Sequence, residues 1–383
     1  YADNAENFVI DYKDNKYLEK EFEGELEALK ARGESEKNQY SLRNKERLLY
    51  EMAKKFSETQ QAEYKHIIGF IRNTDYEDSF KYLMLNETLT KIYNNYVIGL
   101  IEEIDEDGKI HTCFNQTLTR TGRLSSSNPN LQNIPIRTEE GKLIRKAFVP
   151  EENSILLSSD YSQIELRVFA HMSNATNMIE AFEKNIDIHS KTASDIFGLP
   201  LDMIDSDMRR QAKAVNFGIL YGISSFGLSE DLNIDVMSAK NFIDNYLETS
   251  PSIKEYMDEI VENAHRDGYV KTIMNRKRII DELNNKNYMI RQSGERMAKN
   301  TPIQGSAADI LKKAMIEIYK EFKEKNLKSK MLIQVHDELV FNVVKDEEEQ
   351  VEKIIIDIME NTYKLNVPLK VDVNKGTDWY EAK

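Results

Sequence analysis

The sequence has one cysteine, Cys113, among 383 residues. That excludes an internal disulfide framework and a cysteine-rich zinc site, and it fits a reducing, intracellular setting. No apolar run approaches the about 18 residues of a membrane span. The start shows no basic-then-apolar signal pattern. No internal repeat or low-complexity linker is visible. Positive charge is in short supply: 52 lysines and arginines face 66 aspartates and glutamates, giving a net charge of −14. This argues against nucleic-acid binding by overall charge. It leaves room for a local basic groove, because counterion release depends on the contacts made. The chain opens on Tyr1 rather than Met, as a fragment or a processed protein would.

What is present suits a globular protein of two or three packed units, with 40% hydrophobic and 31% charged residues. The basic residues cluster. Six of them (Arg120, Arg123, Arg137, Lys142, Arg145, Lys146) face two acids between Arg120 and Lys146. Residues 208–222 and 271–278 carry cations and no acid. Residues 1–90 are polar, and Glu19–Arg32 and Lys45–Tyr64 read as solvated surface helices. A helix face at Ile92–Leu100 and a turn at Asp105–Gly108 then lead into a strand-like run, Ile110–Phe114.

Residues 155–167 are the stretch on which the rest depends. Ile155–Leu157 reads as a buried strand that ends on Asp160. Ser162 followed by Glu165 is a capping-box pattern, which predicts a helix start. An acid there can be a metal-bound carboxylate, although a simple cap is the commoner meaning. A second acid pair lies in Met331–Val344, where two β-rich runs flank His336-Asp337-Glu338. Tight turns favour Asp. Two acids between apolar strands still call for a counter-charge, which a divalent metal supplies. If the two strands are neighbours, Asp160 and Asp337 converge.

Other stretches supply polar contacts. Residues 119–137 form a turn-rich loop without structure of its own. Its Arg123, Asn130, Gln132 and Asn133 suit phosphates, sugars and base edges, or an ordinary polar loop. Arg209, Lys213, Phe217 and Tyr221 recur at i, i+4, i+8 and i+12, which places them on one helix face. Cations there can hold a polyphosphate and aromatic faces can stack on a base. Two amphipathic helices broken at Ser250-Pro251, a basic-tipped hairpin at 269–280 and a long helix over 294–324 follow. The long helix has a core stripe from Ala307 through Met315 and Tyr319 to Phe322. Gln304 and Arg296 stand at its entry. A helix at 347–363 and a strand at 369–373 close the chain.

These residues carry a resemblance to family A DNA polymerases, the bacterial DNA polymerase I group. Asp160-Tyr-Ser-Gln-Ile-Glu-Leu-Arg167 resembles the family's motif A. The Arg209 to Gly222 segment resembles motif B, and Val335-His-Asp-Glu338 motif C. Thr121-Gly-Arg-Leu-Ser-Ser and Pro129-Asn-Leu-Gln-Asn-Ile-Pro135 resemble its template-primer loop. The resemblance implies an α+β right-hand polymerase fold: an antiparallel palm sheet, helical fingers and a helical, divergent thumb. It implies a thumb-like region over 1–110, palm over 111–180, fingers over 181–305 and palm again over 306–383.

The implied activity is template-directed addition of deoxynucleotides to a primer 3′-OH by two-metal transfer. Asp160, Asp337 and the Tyr161 carbonyl would hold two Mg²⁺ ions, for which Mn²⁺ can substitute. Lys213 would be catalytic, holding the triphosphate and protonating pyrophosphate. Arg209 and His189 would bind the outer phosphates. Gln163, Phe217 and Tyr221 would line the nucleotide, with Glu165 blocking a 2′-hydroxyl. Arg123, Gln304 and His336 would meet the primer-template minor groove, and Asn130, Asn133 and Arg296 its backbone. Glu338 would sit beside the metals without needing to ligate them. The partners are primer-template DNA and deoxynucleoside triphosphates, with no membrane, for a monomer in the bacterial cytoplasm and nucleoid.

The chain also departs from the family. The thumb motifs are not recognisable in 1–90, and the family's Arg-Arg-Tyr-Leu-Pro-Asp is here Arg278-Ile-Ile-Asp-Glu. No proofreading exonuclease is expected in this chain. A non-catalytic nucleic-acid-binding relative is disfavoured by the intact Asp160, Asp337 and Lys213. A nuclease is disfavoured by the cationic-aromatic stripe, which hydrolysis does not need.

Overall fold

The computed structural model describes residues 93–136 and 139–383. The surface helices expected before residue 65 lie outside them. Contacts divide the chain into two units, Tyr1–Ile104 and Asp105–Lys383. In the first, the described residues form a helical run, Tyr93–Ile98 and Gly99–Glu102.

The second unit opens with a small hairpin, β1 (Cys113–Asn115) against β2 (Ser125–Ser127). The polar loop therefore has structure: β2, then a tight helical turn at Leu131–Asn133. The Asn130 side chain accepts from the Gln132 N–H at 3.0 Å to start that turn. β3 (Ser154–Tyr161) follows, as the apolar run predicts.

Helices then come in succession: α1 (Ile164–Met172), α2 (Thr176–Glu183), α3 (Ile188–Phe197), α4 (Ser206–Leu220), α5 (Ser225–Leu232), α6 (Val236–Thr249) and α7 (Pro251–Asp267). Pro251 opens α7, where its missing N–H costs nothing. The basic hairpin is β4 (Tyr269–Lys271) and β5 (Lys277–Ile279). α8 (Tyr288–Glu324) is a single 37-residue helix. It starts six residues before the expected 294 and runs through Pro302. Its core stripe is real at Ala307, Ile310, Leu311, Ala314, Ile318 and Phe322. Tyr319 corrects the expectation: the helix turns it to solvent, 65% exposed.

β6 (Lys330–Val335), β7 (Glu338–Val344), α9 (Glu348–Asn361) and β8 (Val371–Gly376) complete the chain. The sheet order is β6-β7-β3-β8, antiparallel throughout. β3 is thus central, which explains its apolar run. Alternation sends Leu157, Ser159 and Tyr161 to one face. There the Tyr161 hydroxyl donates to the Met359 carbonyl of α9 at 2.7 Å. Leu156, Ser158 and Asp160 take the other face. Over it lies Trp379, fully buried, edge-on to Phe148 at 5.4 Å.

Candidate active site

Asp160 ends β3, and Asp337 sits in the two-residue turn between β6 and β7. The strands are neighbours. Asp160 pairs in register with Glu338, and the Tyr161 N–H donates to the Asp337 carbonyl at 3.2 Å. The turn closes because His336 adopts a left-handed φ of 57°, a region that histidine enters more readily than branched residues do. Asp337 therefore stands at the turn while Glu338 already belongs to β7.

Burial pushes the Asp337 carboxyl up to about 6; Arg123 pulls it down, while Glu165 and Asp160 push it further up. Burial also raises Asp160, opposed by Lys383 and reinforced by Glu338 and Asp372. Both carboxyls are hard oxygen donors, and with Glu165, Glu338 and Asp372 nearby the acids outnumber the Arg123 and Lys383 cations, so this donor set fits a divalent cation such as Mg²⁺.

Glu165 is turned into the same space. It accepts from Arg123 Nη2 at 2.7 Å and from the Tyr221 hydroxyl at 2.8 Å. Arg123 Nη2 also reaches Asp337 at 3.4 Å. Burial and the Glu165 charge raise the Tyr221 phenol far above its ordinary range, so it donates. This corrects the capping box. α1 begins at Ile164 behind a left-handed Gln163 (φ 54°), with no side-chain cap. Glu165 cannot serve two places, and its partners are Arg123 and Tyr221.

α4 bears the cationic-aromatic stripe, although Tyr221 caps the helix rather than continuing it. Phe217 stacks on Tyr221 at 6.2 Å and lies 5.8 Å from the His189 ring. Arg209 is committed to Asp187 by two hydrogen bonds of 2.9 and 2.8 Å. Burial alone would raise Asp187, yet hydrogen bonds from Arg209 and Ser190 bring it down to about 2. His189 is buried and its pKa is pushed down to about 4, so it is neutral at pH 7. Asn216, hidden on the inner side of α4, donates to His189 Nδ1 at 3.2 Å and bonds Thr192. Lys213, Phe217, Tyr221 and Arg296 together line a cavity of about 680 Å³.

The loop bearing Arg123 is fixed by a residue that the sequence did not single out. Arg276 donates to the Thr121 carbonyl (2.9 Å), the Gly305 carbonyl (2.8 Å) and Asp309 (2.5 Å). Gly122, at φ +84°, leaves room for it: a Cβ there would lie 0.9 Å from Arg276 Nη1. Gln304 is next to this junction. Asn130 caps the helical turn and Asn133 ends it, and Gln132 ties that turn to Gln334 of β6 at 2.9 Å. The expected residues thus fall into an acid group (Asp160, Asp337, Glu165 with Arg123), a helix group (Arg209, Lys213, Phe217, Tyr221 with His189) and peripheral loop positions. Also unforeseen were Ser158, Trp379 and Lys383, all of which bond the buried Glu338. A serine, a tryptophan and a lysine distant in sequence carry no local signal of that convergence.

Comparison with known proteins follows the same lines. The description of DNA polymerase family A matches residues 13–381. DNA polymerase I of Bacillus subtilis is 53% identical over 311 residues, which are 81% of this chain and 35% of that protein. DNA polymerase I of Geobacillus stearothermophilus is 50% identical over 297 residues, 77% of this chain and 34% of that protein. The chain therefore spans about a third of the length of these relatives. The solved POL domain of Pol1 from M. smegmatis, in complex with DNA primer-template and dNTP, superposes with a TM-score of 0.76. It is 40% identical, and the match covers 87% of this chain and 56% of that one. The α+β polymerase fold is thereby established, and the chain belongs to DNA polymerase family A.

Proposed function

We propose that this chain is the polymerase part of a DNA-directed DNA polymerase, extending a primer 3′-OH along a template. The observation that carries the reading is the convergence of Asp160 and Asp337 from adjoining strands, both held above the ordinary carboxylate range. Such a pair invites cations. Asp160, Asp337 and the Tyr161 carbonyl would hold two Mg²⁺, or Mn²⁺ in their place. When bound, the metals supply charge stabilisation of the attacking and leaving oxygens.

The chain's own groups do the rest. Lys213 faces the cavity and has no ion-pair partner among the described residues, so its ammonium is available to a triphosphate and can protonate the leaving pyrophosphate. Arg209, braced by Asp187, and neutral His189, braced by Asn216, present donors to the outer phosphates. Phe217 and Tyr221 offer a stacking surface for the incoming base and sugar, and Gln163 borders the nucleotide. The Glu165 carboxylate, pinned by Arg123 and Tyr221, blocks a 2′-hydroxyl. Arg123, Gln304 and His336 meet the minor groove near the primer end, while Asn130, Asn133 and Arg296 meet the backbone. The reading includes no proofreading in this chain and a monomer working in the bacterial cytoplasm.

Primer extension with four deoxynucleotides and Mg²⁺ tests it. Wild type extends; Asp160→Asn and Asp337→Asn do not. A wild-type chain that binds primer-template yet adds no nucleotide removes the proposal.

A further inference from the structure

Glu338 is a carboxylate of 1% exposure beside the acid pair, and the chemistry above does not use it. Its oxygens are already occupied. Ser158 Oγ (2.7 Å) and Trp379 Nε1 (3.3 Å) donate to one, and Lys383 Nζ donates to the other. The same Nζ lies 3.7 Å from Asp160 Oδ2. Asp372 is the register partner of Asp160 on its other side, on β8. Acids opposite one another on a sheet repel, and a buried carboxylate without a counter-charge is costly. Lys383 relieves both. Its segment is anchored: the Trp379 N–H donates to the Phe148 carbonyl at 3.0 Å, and the Arg145 guanidinium lies 4.1 Å over the indole.

We propose that Lys383 is a built-in counter-cation of the Asp160–Glu338 pair, which keeps Glu338 turned away from the metal site and competes with the divalent cation for Asp160. The proposal rests on reading Asp160 and Asp337 as metal ligands. A cation approaching Asp160 does so against the Lys383 charge, so the lysine sets metal affinity without touching nucleotide or DNA. Like charges a few ångströms apart near a surface still interact appreciably, and salt weakens the effect.

The test is Mn²⁺ titration of the chain without DNA or nucleotide, followed by electron paramagnetic resonance of the free ion. Fluorescence of Trp379, the one tryptophan of the sequence, gives a second readout from the same cluster. Lys383→Met keeps the aliphatic stem and removes the charge. It should lower the Mn²⁺ Kd about three- to tenfold, with the difference shrinking at high KCl. Glu338→Gln leaves the lysine to Asp160 alone and should raise the Kd by a similar factor, while Lys383→Arg should match wild type. An unchanged or weaker Kd in Lys383→Met overturns the proposal. If Lys383→Met fails to fold, the Glu338→Gln/Lys383→Met double variant replaces it, since it buries no lone charge; a Kd equal to that of Glu338→Gln then overturns the proposal. Wild-type Mn²⁺ binding that survives both Asp160→Asn and Asp337→Asn overturns the metal-ligand reading and this inference with it. Binding sensitive to those changes but indifferent to Lys383 overturns this inference alone.

Discussion

At the sheet, Asp160 stands in register between Glu338 on β7 and Asp372 on β8, with Asp337 at the adjoining turn. Along α4, charge is matched: Arg209 is held by Asp187 and Arg210 by Asp207. Lys213 is the exception, with no ion-pair partner among the described residues. The sheet gathers like charges on rigid strands and so carries a standing deficit of positive charge. The helix is neutralised by its own Asp207 and by Asp187 at the start of α3, and one cation is left uncommitted. In the proposed function, the groups assigned to chemistry are those whose charge the fold satisfies least. The groups that reading assigns to orienting a ligand, such as Arg209 and His189, are the ones it braces.

The sharpest way to break this contrast is at the sheet. Asp337→Asn should cut primer extension by about 10³-fold or more. It should also melt no lower than wild type in EDTA, because it removes a carboxyl raised to about 6. A large loss of melting temperature would mean that Asp337 serves the fold instead. Next comes the helix: Lys213→Ala should lower kcat/KM about 10²- to 10⁴-fold, and Arg209→Ala, already tied to Asp187, about tenfold. Equal losses in single-turnover assays would erase the distinction between committed and uncommitted cations.

Glu165 lies between the two regions. Glu165→Ala should admit ribonucleotides about 10²-fold more readily, and Tyr221→Phe, which removes one of its two donors, less so. Unchanged competition between ribo- and deoxynucleotides would remove the gate. The last prediction concerns stability and pH rather than activity. His189 has a folded value of about 4 against an ordinary 6.5, so the unfolded chain takes up its proton first. The stability from neutral His189 is complete above pH 6.5 and is lost as pH falls towards 4, by about 3 kcal/mol at most. Urea unfolding at pH 7 and 4.5 should show this loss in wild type and less of it in His189→Asn.

Much of this was legible from local pattern. β3 showed as an apolar run before Asp160, and the break at Pro251 and the stripe of α4 followed from turn chemistry and period. The capping box was misread because Ser162 and Glu165 satisfy a local rule while Arg123, 42 residues away, outbids it with a charged hydrogen bond. Tyr319 was misread because helical spacing cannot say where a neighbour stops covering a face. Arg276, Trp379 and Lys383 stayed hidden for a plainer reason: each gains its role from partners brought near by topology, at separations of 155, 41 and 45 residues.

The absent side chain of Gly122 has a consequence for inheritance. Arg276 fills the volume that any β-carbon at 122 would need. Two constraints therefore meet at 122: the Arg276 side chain, and a φ of +84° at which any L side chain is strained. A library that randomises residue 122 alone should return glycine among its active members. A library that varies both together relieves the clash but not the φ of +84°, so glycine should still dominate at 122, even beside a smaller partner that has given up Thr121, Gly305 and Asp309.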